Sequence, residues 1–317
     1  MDRVSNETYL TFGGHVELYN YRFLYFVIMF GIYILIICSN SVILFLIWIK
    51  KNLHEPMYMF IAALLLNSIL FSTNVYPKLL IDFLSDKQIV SHSLCSFQGF
   101  IYYSLCGSEL FLLAAMGYDR YVCICKPLQY STIMNRRTVT SLLVSAWLLP
   151  ACQLVPSLVL TSSLEICMFT LKGIYCNNSI SQIYCMKPRA AYIIYGTFIF
   201  INTTFLPILF IIFTYAKILI VSYQSSINFR VRAIQTCSPH LLVLISFSCF
   251  YSYDVVIARM EVDLDKTVRF IMSLQVILYH PLFNPIIYGL KLKKISEHLK
   301  GIFARGKLTV CVRINVC

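Results

Sequence analysis

Long apolar runs, broken by short polar segments, dominate the chain. A helix that crosses the hydrocarbon core of a bilayer needs about 20 mostly apolar residues. Seven runs reach that length: Phe23–Ile49, Met57–Leu84, Leu94–Ile124, Thr138–Leu160, Ala191–Val221, Ala233–Ala258 and Val268–Leu290. They neither alternate apolar with polar positions nor stop at strand length, which excludes a membrane β-barrel. The pattern predicts an all-α fold. A seven-transmembrane helix bundle occupies 23–290, after an extracellular N-terminus at 1–22 and before a cytoplasmic tail at 291–317. Pro150, Pro156 and Pro239 make the fourth and sixth runs the least regular. In the tail, Ile295, Leu299, Ile302 and Phe303 recur at helical spacing among lysines. That spacing predicts a short amphipathic helix on the inner leaflet, attracted by anionic lipid. Nothing before Phe23 has the build of a signal peptide, so the first run reads as an uncleaved span.

Composition supports this reading. The chain is 59% hydrophobic and 13% charged, against about 45–50% and about 25% in soluble domains. A net charge of +12 would suggest nucleic acid on a soluble protein. On a membrane protein, sidedness comes first. With the N-terminus outside, 16 of the 26 basic residues fall on the cytoplasmic side and 10 outside, as the positive-inside rule favours. Ten acidic residues offset the outer ten. The excess is therefore cytoplasmic, facing membrane lipid, and no nucleic acid is implied.

Of 13 cysteines, Cys95, Cys167, Cys176 and Cys185 fall on outer segments. An even set in an oxidising compartment suggests disulfides, with three pairings open. Asn6 begins an N-x-T glycosylation sequon in the outer N-terminus. Cys311 and Cys317 in the basic tail are weak palmitoylation candidates. No metalloprotease, P-loop or dinucleotide motif is present, and the six histidines lack metal-ligand spacing. No enzyme activity, cofactor or metal is expected.

One segment is specific. From Gly107 to Tyr130, the run Met116-Gly117-Tyr118-Asp119-Arg120-Tyr121-Val122-Cys123-Ile124-Cys125-Lys126-Pro127-Leu128-Gln129-Tyr130 closes the third span. It resembles the MAYDRYVAICxPLxY signature of odorant receptors, a family of rhodopsin-like G-protein-coupled receptors. Leu53 to Tyr58 resembles the family's LHxPMY, Thr236 to Leu241 its TCxxHL, and Pro281 to Tyr288 its PxxNPxIY. The resemblance runs from about Phe23 to Phe303. Glu55, Ser39-Asn40 and Tyr76-Pro77-Lys78 give it a fish-type character. Two departures stand out. Ser68 occupies the place of the family's second-span Asp, and Phe247-Ser248-Cys249 stands where the family has FYG.

The resemblance implies a receptor that binds a small-molecule odorant and activates a stimulatory G protein, raising cyclic AMP. It places Asp119, Arg120 and Tyr121 at the G-protein end, with Asp119 restraining Arg120 at rest. Tyr215, Asn284, Pro285 and Tyr288 form the switch around a proline kink. Glu109, with Ser68 and Asn284, is a candidate ion or proton site, or a hydrogen-bonded structural residue. The cysteines would pair as Cys95–Cys176 and Cys167–Cys185. The ligand site would lie in the outer half of the bundle, at Tyr102, Tyr103, Cys106, Gly107, Phe200, Thr203, Thr204, Tyr251, Val255 and Ile277. Tyr102 stands where aminergic receptors carry an Asp, which argues against a monoamine. A receptor of the same class for a lipid or peptide is the alternative. A transporter or channel is more remote, because no inverted repeat with broken helices is visible.

Overall fold

The computed structural model describes residues 8–162, 164–177, 180, 182–185, 189–224, 226–227, 231, 237–238, 240–249, 251–252, 265–291 and 295–298. Seven helices form the bundle. They are α1 (Leu18–Ile49), α2 (Pro56–Leu84), α3 (His92–Cys125), α4 (Arg136–Ser162), α5 (Arg189–Phe200 continuing through Leu206–Tyr223), α6 (His240–Cys249) and α7 (Lys266–Lys291). Six are long and apolar enough to cross a membrane, and α6 is a shorter apolar helix among the described residues. The expected spans match α1 to α5 and α7 to within a few residues, and α1 starts five residues before Phe23. Much of the expected sixth span, with Pro239 and Val255, lies outside the described residues, as do Asn6, Cys311 and Cys317.

Local chemistry sets several helix ends. Pro56 opens α2 at a position whose N–H would be unsatisfied anyway. Ser91 caps α3 by accepting from the Leu94 N–H, and Asn135 caps α4 by accepting from the Thr138 N–H at 3.0 Å. Asp265 accepts from Thr267 and Val268 at the start of α7. These hydrogen bonds hold its carboxyl below the usual range. α5 is built of Arg189–Phe200, a π-helical turn Ile201–Phe205, and Leu206–Tyr223. Pro207 has no N–H to give the Thr203 carbonyl, and the ladder widens immediately before it, with Leu206 N–H bonding Ile201 O.

α3 is the central helix. It packs on α2, α4 and α5, and 67% of its apolar window is buried, against 11% for α4. The exposed apolar faces of α1, α4 and α5 are what a lipid-facing surface requires. Gly117 lets α3 approach α5, since a Cβ there would sit 3.2 Å from Thr214 Oγ1.

A small sheet covers one end of the bundle, which the apolar runs did not reveal. β1 (Tyr9–Phe12) pairs antiparallel with β2 (Ile89–Ser91) and parallel with β3 (Thr170–Leu171). Its side chains alternate: Leu10 and Phe12 are buried, while Tyr9 and Thr11 face outward. The inner face packs on Val90, Leu171, Ile183 and the Cys95–Cys176 disulfide. Only glycine fits at Gly14, where a Cβ would lie 2.7 Å from the Gly173 backbone. The strap then buries His15 between Phe83 and Phe270.

Beyond α7, residues 295–298 are helical. Ile295 is buried there, and His298 Nε2 lies 3.3 Å from Asn52 Nδ2. The rest of the expected amphipathic helix, including Leu299, Ile302 and Phe303, lies outside the described residues.

Candidate functional site

Three arrangements lie along α3. The first is a cavity near the sheet, about 870 Å³ including its mouth. Phe100 and Tyr103 of α3, Ser157 and Thr161 of α4, and Phe200 and Thr203 of α5 line it, with Tyr251 from the α6 side. The segment between α4 and α5 closes it with Asn177, Ile180 and Tyr184. That segment is pinned to α3 by Cys95–Cys176 and closed on itself by Cys167–Cys185.

The second is a polar centre. Glu109 is fully buried. Asn67 Nδ2 donates to its Oε2 at 2.9 Å, and Asn284 Nδ2 to its Oε1 at 3.0 Å. His280 Nε2 lies 2.9 Å from the same Oε1, at ion-pair distance but without the alignment of a hydrogen bond. Asn284 also donates to Ser68 Oγ at 3.0 Å. A carboxylate amid uncharged bundle residues is costly unless it is paired or hydrogen-bonded, and here α2 and α7 supply the partners. His280 in turn touches Phe247, with ring centroids 4.3 Å apart, and Phe247 stacks on Tyr251 at 5.6 Å. Tyr251 lines the cavity near the sheet and also a smaller apolar one beside Cys106, Val276 and His280.

α7 carries two prolines four residues apart, and each frees a carbonyl four residues back. Pro285 frees Pro281 O, and Asn40 Nδ2 of α1 donates to it at 2.9 Å. Pro281 frees Ile277 O, and the Tyr76 hydroxyl of α2 donates to it at 3.3 Å. Side chains of α1 and α2 thus satisfy both carbonyls that the prolines of α7 leave free.

The third lies at the far end of α3. Arg120 Nη2 lies 2.6 Å from Asp119 Oδ2, and the Tyr130 hydroxyl donates to Asp119 Oδ1 at 2.8 Å. Burial and the adjacent Asp119 carboxylate raise the Tyr130 phenol above its ordinary range. Tyr215 hydrogen-bonds His240, and the Tyr288 hydroxyl is buried without a partner among the described residues.

A family model described as "Olfactory receptor" matches residues 29–306. The chain belongs to the olfactory receptor family. Human olfactory receptor 2AT4 is 32% identical over 293 residues, covering 88% of each chain. Human olfactory receptor 13C2 is 31% identical over 307 residues, covering 92% of this chain and 93% of that one. Squid rhodopsin superposes with a TM-score of 0.73 at 20% identity, over 92% of this chain and 87% of its own, which supports the seven-helix fold. This olfactory receptor is thus a multi-pass membrane signalling protein and not an enzyme.

The structure sorts the candidate ligand residues of the receptor. Tyr103, Phe200, Thr203 and Tyr251 come together on the cavity near the sheet. Cys106 lines the smaller cavity. Tyr102 and Ile277 are buried in the core, and Tyr102 lies 3.3 Å from the Tyr175 hydroxyl. Gly107 packs on α4, where a Cβ would lie 2.6 Å from Pro150 Cβ. Thr204 is buried beside Thr203, off the cavity lining. Ser68, Glu109 and Asn284 share one network, as do Asp119 and Arg120. Tyr121 takes no part in the ion pair. Sequence reasoning missed His280, whose signal was its place one helical turn before Asn284 on the same face. It also missed Asn67 as a Glu109 partner, and the α4 contribution of Ser157 and Thr161.

Proposed function

We propose that this receptor binds a small-molecule odorant in the cavity between α3, α4, α5 and α6 and activates a stimulatory, olfactory-type G protein that raises cyclic AMP. The observation that carries this reading is the build of α3. One end lines the cavity and is pinned by Cys95. The other presents the Asp119–Arg120 pair, about 30 Å away by helical rise. Mostly apolar pockets with a few placed polar groups suit small ligands. A ligand that binds better when Tyr251 and Phe247 shift would move His280, Glu109 and Asn284, and so bias the α7 kink. It acts only by its differential affinity for the two states.

In this reading the N-terminus and sheet are extracellular, and the tail and Arg120 are cytoplasmic, following the basic-residue bias. The domain limits 1–22, 23–290 and 291–317 correspond to outer segment, receptor bundle and lipid-binding tail. Asn6 carries the glycan. Glu109, Ser68 and Asn284 form the central site. Asp119, Arg120, Tyr121, Tyr215, Asn284, Pro285 and Tyr288 carry coupling.

The test is a cyclic-AMP screen of an odorant panel in cells expressing the receptor, beside Arg120→Ala at matched surface level. Odorant-evoked cyclic AMP in the wild type and silence in the variant support the mechanism. Equal signalling by a well-surfaced Arg120→Ala variant removes it.

A further inference from the structure

The cavity's lining specifies the chemistry of its ligand beyond size. Among the described residues, no Lys, Arg, His, Asp or Glu lines it. A charged molecule entering it would lose its hydration and gain no counter-charge from these residues, which costs far more than burying a neutral polar group. The polar content is mostly hydroxyl. Two of those hydroxyls have fixed roles. Thr161 Oγ1 donates to Leu158 O at 3.0 Å, and Thr203 Oγ1 donates to Ile199 O at 2.9 Å. A threonine hydroxyl has one proton to give and two lone pairs to accept with. With the proton committed to the helix backbone, each oxygen is left as an acceptor. Both residues are buried, so an acceptor there is best matched by a ligand group that donates.

Their setting strengthens the point. Thr203 lies in the widened π-turn that Pro207 imposes, so its position on the cavity is built into the backbone of α5. Thr161 lies one turn from Ser157 on the same face of α4. Phe100, Tyr103 and Phe200 supply aromatic surface on the α3 and α5 walls for an apolar body.

We propose that this cavity selects an uncharged, hydroxyl-bearing ligand, an aliphatic alcohol or a phenol, whose O–H donates to Thr161 or Thr203. The assignment rests on the receptor reading above. The described lining offers amino acids, carboxylates and alkylammonium ions no counter-charge, so they are expected to be poor ligands of this cavity.

The experiment compares matched sets built on the same aliphatic or monocyclic skeleton: the alcohol or phenol, its methyl ether, the carboxylate and the ammonium ion. Each is applied to surface-labelled wild type, Thr161→Val, Thr203→Val and the two serine variants, with cyclic AMP as readout. Within an active skeleton, the alcohol is expected to be about three- to tenfold more potent than its ether, the worth of one neutral hydrogen bond. The charged analogues are expected to be silent. One valine variant should remove the alcohol's advantage while leaving the ether's potency unchanged, and serine at that position should restore it. An ether equal to its alcohol on wild type, or a charged analogue matching it, overturns the ligand class. So does an advantage retained in both valine variants. A wild type silent to every compound, while Asp119→Asn still raises basal cyclic AMP, also overturns the ligand class and leaves G-protein coupling standing. A wild type silent to every compound with no basal signal in Asp119→Asn instead removes the receptor reading itself.

Discussion

Oε1 of Glu109 lies 2.9 Å from Nε2 of His280, in the buried centre of the bundle. The same oxygen accepts from Asn284, and the other from Asn67. One carboxylate therefore ties α2, α3 and α7 together. Removing the Glu109 side chain leaves the Asn67 and Asn284 amides buried and unpaired, at a cost of about 1–3 kcal/mol each. Glu109→Ala is expected to lose that much stability in detergent, read by thermal unfolding, while Glu109→Gln loses less because it keeps an acceptor. A double-mutant cycle of Glu109→Gln with His280→Gln should show a coupling of about 1 kcal/mol or more. Strict additivity would show that the two side chains do not interact.

Asn40 and Tyr76 hold carbonyls that α7 cannot satisfy for itself. Asn40→Ala leaves Pro281 O buried and unbonded, at about 1–3 kcal/mol. The proline origin of the defect can be checked directly. In a Pro285→Ala background the backbone N–H returns to that carbonyl, so the Asn40→Ala penalty should shrink to a small residue. An unchanged penalty means that Asn40 acts through some other contact.

Much of this architecture could be read from apolar run length alone, because a bilayer leaves a long apolar segment little choice but to be a helix. The ends of α1 to α5 and α7 follow from that. The β1 strap did not, since Tyr9–Phe12 is a four-residue alternation too short to stand out and is ordered by partners some 80 and 160 residues away. Asp119 and Arg120 were readable as sequence neighbours. The Glu109–His280 pair was not, because its partners are 171 positions apart and meet only when α3 and α7 pack. For the cavity, the family resemblance together with helical position pointed to Tyr103, Phe200, Thr203 and Tyr251, which line it. It could not give the rotation of α4, which brings in Ser157 and Thr161, nor of α3, which turns Gly107 onto Pro150.

His15 should make the strap acid-sensitive. Burial, with Lys266 and Lys78 nearby, lowers its pKa from 6.5 to about 4. A base with a lowered folded-state pKa is neutral when folded and takes up its proton more readily when unfolded. Its stabilising contribution is therefore complete above about pH 6.5 and is lost as pH falls toward about 4. The full loss is on the order of 3 kcal/mol. Amide exchange in Tyr9–Phe12, followed from pH 7 to pH 5 at fixed ionic strength and corrected for intrinsic rates, should accelerate in the wild type. His15→Phe should flatten the profile. A wild-type profile already flat over that range would mean that the strap does not depend on neutral His15.

The Asp119 carboxylate is fully buried and has two partners, Arg120 on one oxygen and the Tyr130 hydroxyl on the other. In the proposed coupling mechanism Asp119 restrains Arg120, and Tyr130 fixes the carboxylate. Asp119→Asn removes the charge while keeping the shape. It should free the guanidinium and raise ligand-independent cyclic AMP several-fold, since a lost charge-assisted hydrogen bond is worth about 1.5–3 kcal/mol. Tyr130→Phe removes one neutral-donor bond and leaves the ion pair, so its basal signal should rise less. In the double variant, Tyr130→Phe should add little to Asp119→Asn, because the tyrosine acts through the carboxylate. If Tyr130→Phe raises basal signalling as much as Asp119→Asn does, at equal surface level, the restraint is carried by the loop that bears Tyr130 and not by the ion pair.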